Sequence, residues 1–311
     1  REESIRTKEF SRILKPSQGA VEDYLQADYI VIHDPQPISL VSKRLESKGK
    51  WIWRCHIDVS DPPEEVWSFI QEFVVQYDAA IFSAPTFAQT LPIRQYIIAP
   101  SIDPFSDKNK ELSEDEINLI LSRYRIPRDK PIVTQISRFD HFKDPVGVIQ
   151  AFNMVRENID CRLILAGGTA SDDPESDKVL AIVREHAKGN HDIHILLLPP
   201  DSDIEINALQ RASNVIVQKS LKEGFGLTVS EAMWKNKPVV ASAVGGIVLQ
   251  IENNVNGLLC HNIEETASAI RELLRYPDYA NRLGANAREH VRHNFLITRH
   301  LKDYLSLFLS I

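Results

Sequence analysis

Cysteine is scarce and scattered: Cys55, Cys161 and Cys260 stand far apart in 311 residues and form no Cys-x-x-Cys pair. That pattern excludes a disulfide framework and a zinc site built on paired thiolates, and it makes a reducing cytoplasm the expected setting. No apolar run reaches the roughly 20 residues that a membrane span requires. The opening, REESIRTKEF, lacks the apolar segment of a signal peptide. Positive charge is not in excess either, since 36 Lys and Arg against 43 Asp and Glu leave a formal net charge of −7. Such a chain has no global field to collect nucleic acid or an anionic membrane, and no basic or aromatic stripe stands out. An anionic ligand must therefore be held by local groups, which suits a nucleotide-sized molecule better than a polymer. Fixed-period repeats and low-complexity tracts are absent as well.

What the chain does have is ordinary globular composition, 43% hydrophobic and 25% charged, in a length that fits about two domains. Short branched runs at 27–33, 51–56, 79–83 and 95–99 read as strands, and 63–76 as a helix with Val66, Phe69, Ile70 and Phe73 on one face. A charged stretch follows, in which Ser113 and Glu116 form a capping box at the start of a helix over 113–124. Strands and helices then alternate over 132–291, the pattern of a parallel sheet covered on both faces. The last helix, 298–309, carries Leu301, Tyr304, Leu305 and Phe308 at helical spacing. The fold expected is α/β, with two Rossmann-like halves whose sheets face a cleft: 1–105, 106–297, and a helix over 298–311 packing back toward the amino-terminal half. Ligands of such sheets bind beyond the carboxyl ends of the strands.

The segment 219–234, KSLKEGFGLTVSEAMW, carries the strongest chemical signal. A strand runs into a loop that opens a helix near Leu227. Gly224 and Gly226 clear side chains from the turn, and their amides, with those of Leu227 and Thr228, can point at an anion lying on the helix dipole. Glu223 and Glu231 bracket this cradle with seven residues between them, and Glu231 is suited to a pair of vicinal hydroxyls such as a ribose diol. A lone Glu-Gly-x-Gly is most often ordinary helix-start material; the second Glu, the preceding strand and the strand at Pro238 together point to a donor site. After the strand at 132–136, Arg138 and Lys143 are placed to neutralise charge on a leaving diphosphate. Val244-Gly-Gly-Ile247 would permit close approach of a ligand, a weak signal by itself.

Together these residues resemble the retaining glycosyltransferases of GT-B type often called family 4, whose Glu-x7-Glu motif matches Glu223 and Glu231 and whose paired Arg and Lys match Arg138 and Lys143. Members usually follow that Lys with Gly. Here Asp144 follows, which implies a different local turn. His33-Asp-Pro-Gln-Pro37, Trp53-Arg-Cys-His-Ile-Asp58-Val-Ser60 and Pro100-Ser-Ile-Asp-Pro104 narrow the likeness to the trehalose synthase branch, over nearly the whole chain from about Val21. The family begins with a strand and a Gly-rich loop, whereas this chain opens on charged, helical-looking sequence. The comparison implies an incomplete amino-terminal half.

The resemblance implies transfer of glucose from a nucleoside-diphosphate glucose (UDP- or ADP-glucose) to free glucose, forming trehalose reversibly. Arg138 and Lys143 would bind the diphosphate, with the backbone of Gly224, Phe225, Gly226, Leu227 and Thr228. Glu231 would hold the ribose and Glu223 the transferred glucose. His56 would help place the donor sugar and stabilise positive character at its anomeric carbon. His33, Asp34 and Asp58 would serve the acceptor, while Trp53 and Cys55 serve packing. No tightly bound cofactor and no protein metal site are expected, and whether Mg2+ takes part is open. Partners would be the small-molecule donor and acceptor in a homodimer, with no nucleic acid and no membrane. Two other readings stand beside this one, a retaining trehalose phosphorylase and a non-catalytic nucleotide- or sugar-binding relative.

Overall fold

The computed structural model describes residues 25–168 and 174–311. The helical-looking opening of the chain and residues 21–24 of the family resemblance lie outside them. Two compact units emerge, one of residues 25–100 with His300–Ile311, the other Ser101–Arg299.

In the first unit, branched and aromatic runs form β1 (Tyr29–His33), β2 (Lys50–Arg54), β3 (Ala79–Phe82) and β4 (Arg94–Ile97). They pair in parallel in the order β1-β2-β3-β4. Parallel neighbours need crossovers. The first is a stretch of 3-10 turns, Ile38–Glu46, which the sequence pattern left unassigned, and the second is α1 (Glu64–Val74). α1 buries part of the expected stripe: Ile70 is buried, Phe69 and Phe73 are half-buried with their rings edge to face at 5.4 Å, and Val66 is 36% exposed. Val74, outside that stripe, is buried, and Trp67 is half-buried with its indole 6.4 Å from that of Trp53. The opposite face of the sheet is covered by the carboxy-terminal residues. Leu307 packs with Ile52, Ile81 and Ile98, and Tyr29 stacks on Phe308 at 4.6 Å.

In the second unit, α2 (Glu114–Arg123) starts at the capping box, with Ser113 Oγ accepting the Glu116 amide at 3.3 Å and Glu116 Oε2 accepting the Ser113 amide at 2.7 Å. There follow β5 (Ile132–Ile136), α3 (Pro145–Arg156), β6 (Arg162–Gly167), α4 (Pro174–Ala187), β7 (Ile193–Leu197), α5 (Asp203–Ala212) and β8 (Val215–Gln218). Then come α6 (Leu227–Trp234), β9 (Val239–Ser242), β10 (Leu258–Cys260), α7 (Ile263–Arg275) and α8 (Pro277–Asn294). The six strands are parallel, in the order β10-β9-β8-β5-β6-β7. Alternation along β5 sends Val133 into one core, with Phe152 and Leu163, and Ile132 and Ile136 into the other, with Ile117 and Leu209. Because β8 lies on the opposite side of β5 from β6, the strand order reverses between β5 and β8. That reversal, at the carboxyl ends, is where open α/β sheets bind ligands.

The last helix, α9 (Ile297–Phe308), enters the first unit at His300. Leu307 is 1% exposed against the isoleucine face of the sheet, and Tyr304 and Phe308 of the expected stripe pack half-buried beside it. Leu301 and Leu305 of that stripe are 59% and 52% exposed, because the inward face centres on Leu307. Among the described residues no helix is long and apolar enough to cross a membrane, and no group of three His, Cys, Asp or Glu could hold a metal ion.

Candidate functional site

The loops leaving β5 and β8 carry the charged motifs, side by side at the reversal. Gly167 lets the β5 exit pass close, since a Cβ there would lie 1.9 Å from the Ser137 carbonyl oxygen. Asp140 Oδ1 accepts the Lys143 amide at 3.1 Å, closing the turn His141–Lys143. Asp144 sits at φ 43°, ψ 53°, the left-handed region that favours glycine. The different turn implied by its replacing glycine is therefore not found. Aspartate tolerates this region, and here its carboxylate caps α3 through the Gly147 amide (3.0 Å) and pairs with the Lys219 ammonium.

Lys143 and Glu223, 80 residues apart in sequence, meet: Nζ lies 2.6 Å from Oε2, with side chains only 17% and 10% exposed. The same carboxylate oxygen accepts from Ser220 Oγ at 3.1 Å and Gln218 Nε2 at 3.4 Å. Arg138 does not join them. Its guanidinium is 63% exposed and reaches Asp140 Oδ2 at 3.4 Å. The reversal thus presents one lysine held on a carboxylate and one arginine in solvent beside it.

Gly226, at φ 80° and ψ 64°, begins α6, and no side chain caps the helix there. The amides of Leu227 and Thr228 take no acceptor among the described residues. Thr228 Oγ1 instead donates to Gln218 Oε1 at 3.1 Å, and Leu227 is 41% exposed. Phe225 is 5% exposed, its ring against Phe295 at 5.5 Å, so only its backbone is available to a ligand. At Gly246 of the paired glycines it is this loop that comes close: a Cβ there would lie 2.6 Å from the Gly224 carbonyl oxygen.

Glu231, in the second turn of α6, is 6% exposed, and its buried Oε2 has no hydrogen-bond partner among the described residues. Burial pushes its carboxyl above the usual range, against the pull of Lys108 and Lys235. Lys235, one turn further on, donates to the Glu231 carbonyl at 3.0 Å and to Asn109 Oδ1 at 2.9 Å, and burial brings it down to about 7. An ionisable oxygen buried without a donor is costly unless a ligand satisfies it.

In the first unit His33, Asp34 and His56 gather at the carboxyl ends of β1 and β2. His33 Nδ1 and His56 Nε2 are 2.7 Å apart, with the rings stacked at 5.0 Å. Asp34, at φ 66°, accepts the His56 amide at 2.9 Å, and its carbonyl takes Trp53 Nε1 at 3.1 Å. Partial burial, then the Arg54 guanidinium, holds both imidazoles below the ordinary histidine range, with Asp34 opposing. Asp58 is engaged elsewhere: its Oδ1 accepts both the amide and the hydroxyl of Ser60, at 2.9 and 2.6 Å. Trp53 and Cys55 are fully buried. Sequence reasoning missed Gln135, Gln218, Lys219 and Lys235. For the two glutamines the available signal was a polar residue at or next to the end of a branched apolar run, repeated on two strands; Lys235, at the end of α6, carried no such signal.

Comparison with known proteins gives two family matches. The family described as Glycosyl transferases group 1 covers residues 116–290, and Trehalose synthase, N-terminal domain, covers 3–89. The chain is 44% identical over 297 residues to a trehalose synthase of Pyrococcus horikoshii, spanning 93% of this chain and 70% of that one. A trehalose phosphorylase of Pleurotus pulmonarius is more distant, 26% identical over 309 residues, spanning 85% of this chain and 41% of that one. The solved sucrose-phosphate synthase of Thermosynechococcus elongatus matches with a TM-score of 0.80 at 21% identity, over 98% of this chain and 80% of that one, a likeness of fold.

Proposed function

The chain belongs to the group 1 glycosyl transferases and, among them, to the trehalose synthases, and on that basis we propose that it moves glucose from a nucleoside-diphosphate glucose to free glucose, reversibly and with retention. One observation carries the choice of donor. At the strand-order reversal, an uncapped helix start stands beside the Lys143–Glu223 pair, and a carboxylate oxygen of the same helix is buried with no partner among the described residues. A diphosphate suits the amides of Leu227 and Thr228 together with Lys143 and Arg138. Glu231 suits the ribose diol, and Glu223 the glucosyl hydroxyls. The second unit is thus the donor unit. In the first, His56 is assigned to the donor sugar and His33 and Asp34 to the acceptor.

In this reading the bond from the anomeric carbon to the diphosphate oxygen breaks, and a bond to the acceptor hydroxyl oxygen forms on the same face. The acceptor's proton passes to the departing phosphate oxygen, so no protein nucleophile is required. Lys143, Arg138 and the helix amides stabilise the charge that develops on the leaving group, electrostatic catalysis by groups already in place.

The test is cleavage of trehalose by the purified chain with UDP or ADP, against cleavage with inorganic phosphate. Nucleotide-dependent release of equal glucose and nucleotide-glucose is expected. Glucose 1-phosphate formed from phosphate would identify a phosphorylase, and nucleotide binding without turnover a non-catalytic relative. Lys143→Ala is expected to lower transfer by about 100-fold or more. A near-normal rate in that variant would remove the diphosphate assignment.

A further inference from the structure

Gln135 is the fourth residue of β5 and is 1% exposed, so it cannot touch a donor. A buried side-chain amide must be satisfied where it stands. Its Oε1 accepts the Lys219 amide at 3.0 Å, and its Nε2 donates to the Lys143 carbonyl at 2.9 Å and to Ser137 Oγ at 3.4 Å. The partners dictate this orientation. A backbone N–H on one side can donate only to the oxygen, and a backbone carbonyl on the other can accept only from the NH2. One side chain therefore spans the exits of β5 and β8, the two strands that flank the reversal.

A second strut runs parallel to it. The Asp144 carboxylate pairs with the Lys219 ammonium, and Lys219 is only 7% exposed. Lys143 is thus fixed at its amide by Asp140, at its carbonyl by Gln135, and through its neighbour Asp144 by Lys219. Glu223 is four residues beyond Lys219, so the same two struts tie its loop to that of Lys143. The 2.6 Å contact between Lys143 and Glu223 is set by this framework as well as by their own attraction.

We propose that Gln135, seconded by the Asp144–Lys219 pair, is a positioning residue that sets the Lys143 ammonium against Glu223, where the charge of a departing diphosphate develops. The proposal rests on the assignment of Lys143 to the diphosphate. Misplacing such a group by about 1 Å costs on the order of 100-fold in rate.

Gln135→Met keeps the length and removes all three hydrogen bonds. Its kcat is expected to fall about 10- to 100-fold while KM for the donor stays within about threefold, because the interaction strengthens only as charge develops. A free nucleoside diphosphate carries that charge in full, so its Kd is the second readout, measured by calorimetry with whichever of UDP or ADP binds the unsubstituted chain. Gln135→Met should weaken it about fivefold in the parent and less than about twofold in a Lys143→Ala background. Equal weakening in both backgrounds would mean that Gln135 serves stability alone and would overturn the proposal. Should Gln135→Met fail to fold, Asp144→Asn retains the helix cap and tolerates the left-handed turn while losing the charge. Its kcat is expected about three- to tenfold lower, and an unchanged kcat counts against the struts. A Lys143→Ala chain that binds and turns over normally would strike the diphosphate assignment itself, an outcome distinct from the others.

Discussion

Glu231 shows how function can run against stability in a single side chain. Burial raises its carboxyl pKa, so the ionised form is costly in the folded chain. A group raised in this way contributes stability that is lost as pH rises through its folded value. Glu231→Gln, which removes the charge, is accordingly expected to raise the melting temperature at about pH 7 while weakening nucleoside-diphosphate binding about tenfold or more. In the parent the Kd should rise as falling pH protonates Glu231, since the protonated carboxyl loses an acceptor site; the glutamine variant should lack this component of the profile. Calorimetric titrations at several pH values decide it, and a flat parent profile would detach Glu231 from the diol. Glu223 and Glu231 were singled out in the sequence by their spacing around paired glycines, and Arg138 and Lys143 by their place after a strand. Gln135 was not, because a glutamine near the end of a strand looks like any polar residue until the amide of Lys219, 84 positions on, is known to meet it.

At the scale of elements, most strands and helices were legible because branched runs and 3.6-residue spacing leave little ambiguity. The phase of a helix was not. In α1 the expected Val66 is exposed and Val74 is buried instead, and Trp67 lies near Trp53 of β2, a contact that spacing within the helix does not reveal. The start of α6 is the element most exposed to substitution. Gly226 holds φ 80°, and a Cβ there would stand 3.2 Å from Glu223 Cγ. Gly226→Ala is expected to cost about 1–2 kcal/mol in stability from the left-handed conformation. It should also lower the transfer rate about tenfold, because Glu223 must shift to admit the methyl group. Denaturant midpoint and initial rate, measured together, test both halves; an alanine variant as stable and as fast as the parent would show that the turn relaxes without loss.

At the scale of the whole molecule the chain makes two units, and the first includes residues 300–311. Leu307 is 1% exposed against Ile52, Ile81 and Ile98. Leu307→Ala should cost about 2–4 kcal/mol, charged to the first unit alone. Scanning calorimetry is expected to show one transition moved down and the other unmoved; a uniform shift of both would mean that the units unfold as one. The covering of the amino-terminal sheet by these residues also bears on birth order. A ribosome releases β1 to β4 long before Leu307, Phe308 and Ser310, whose contacts with Ile52, Tyr29 and Arg94 belong to that unit. During translation the later-made doubly wound sheet can therefore close first, while the isoleucine face of the earlier-made sheet stays bare until residues 300–311 emerge.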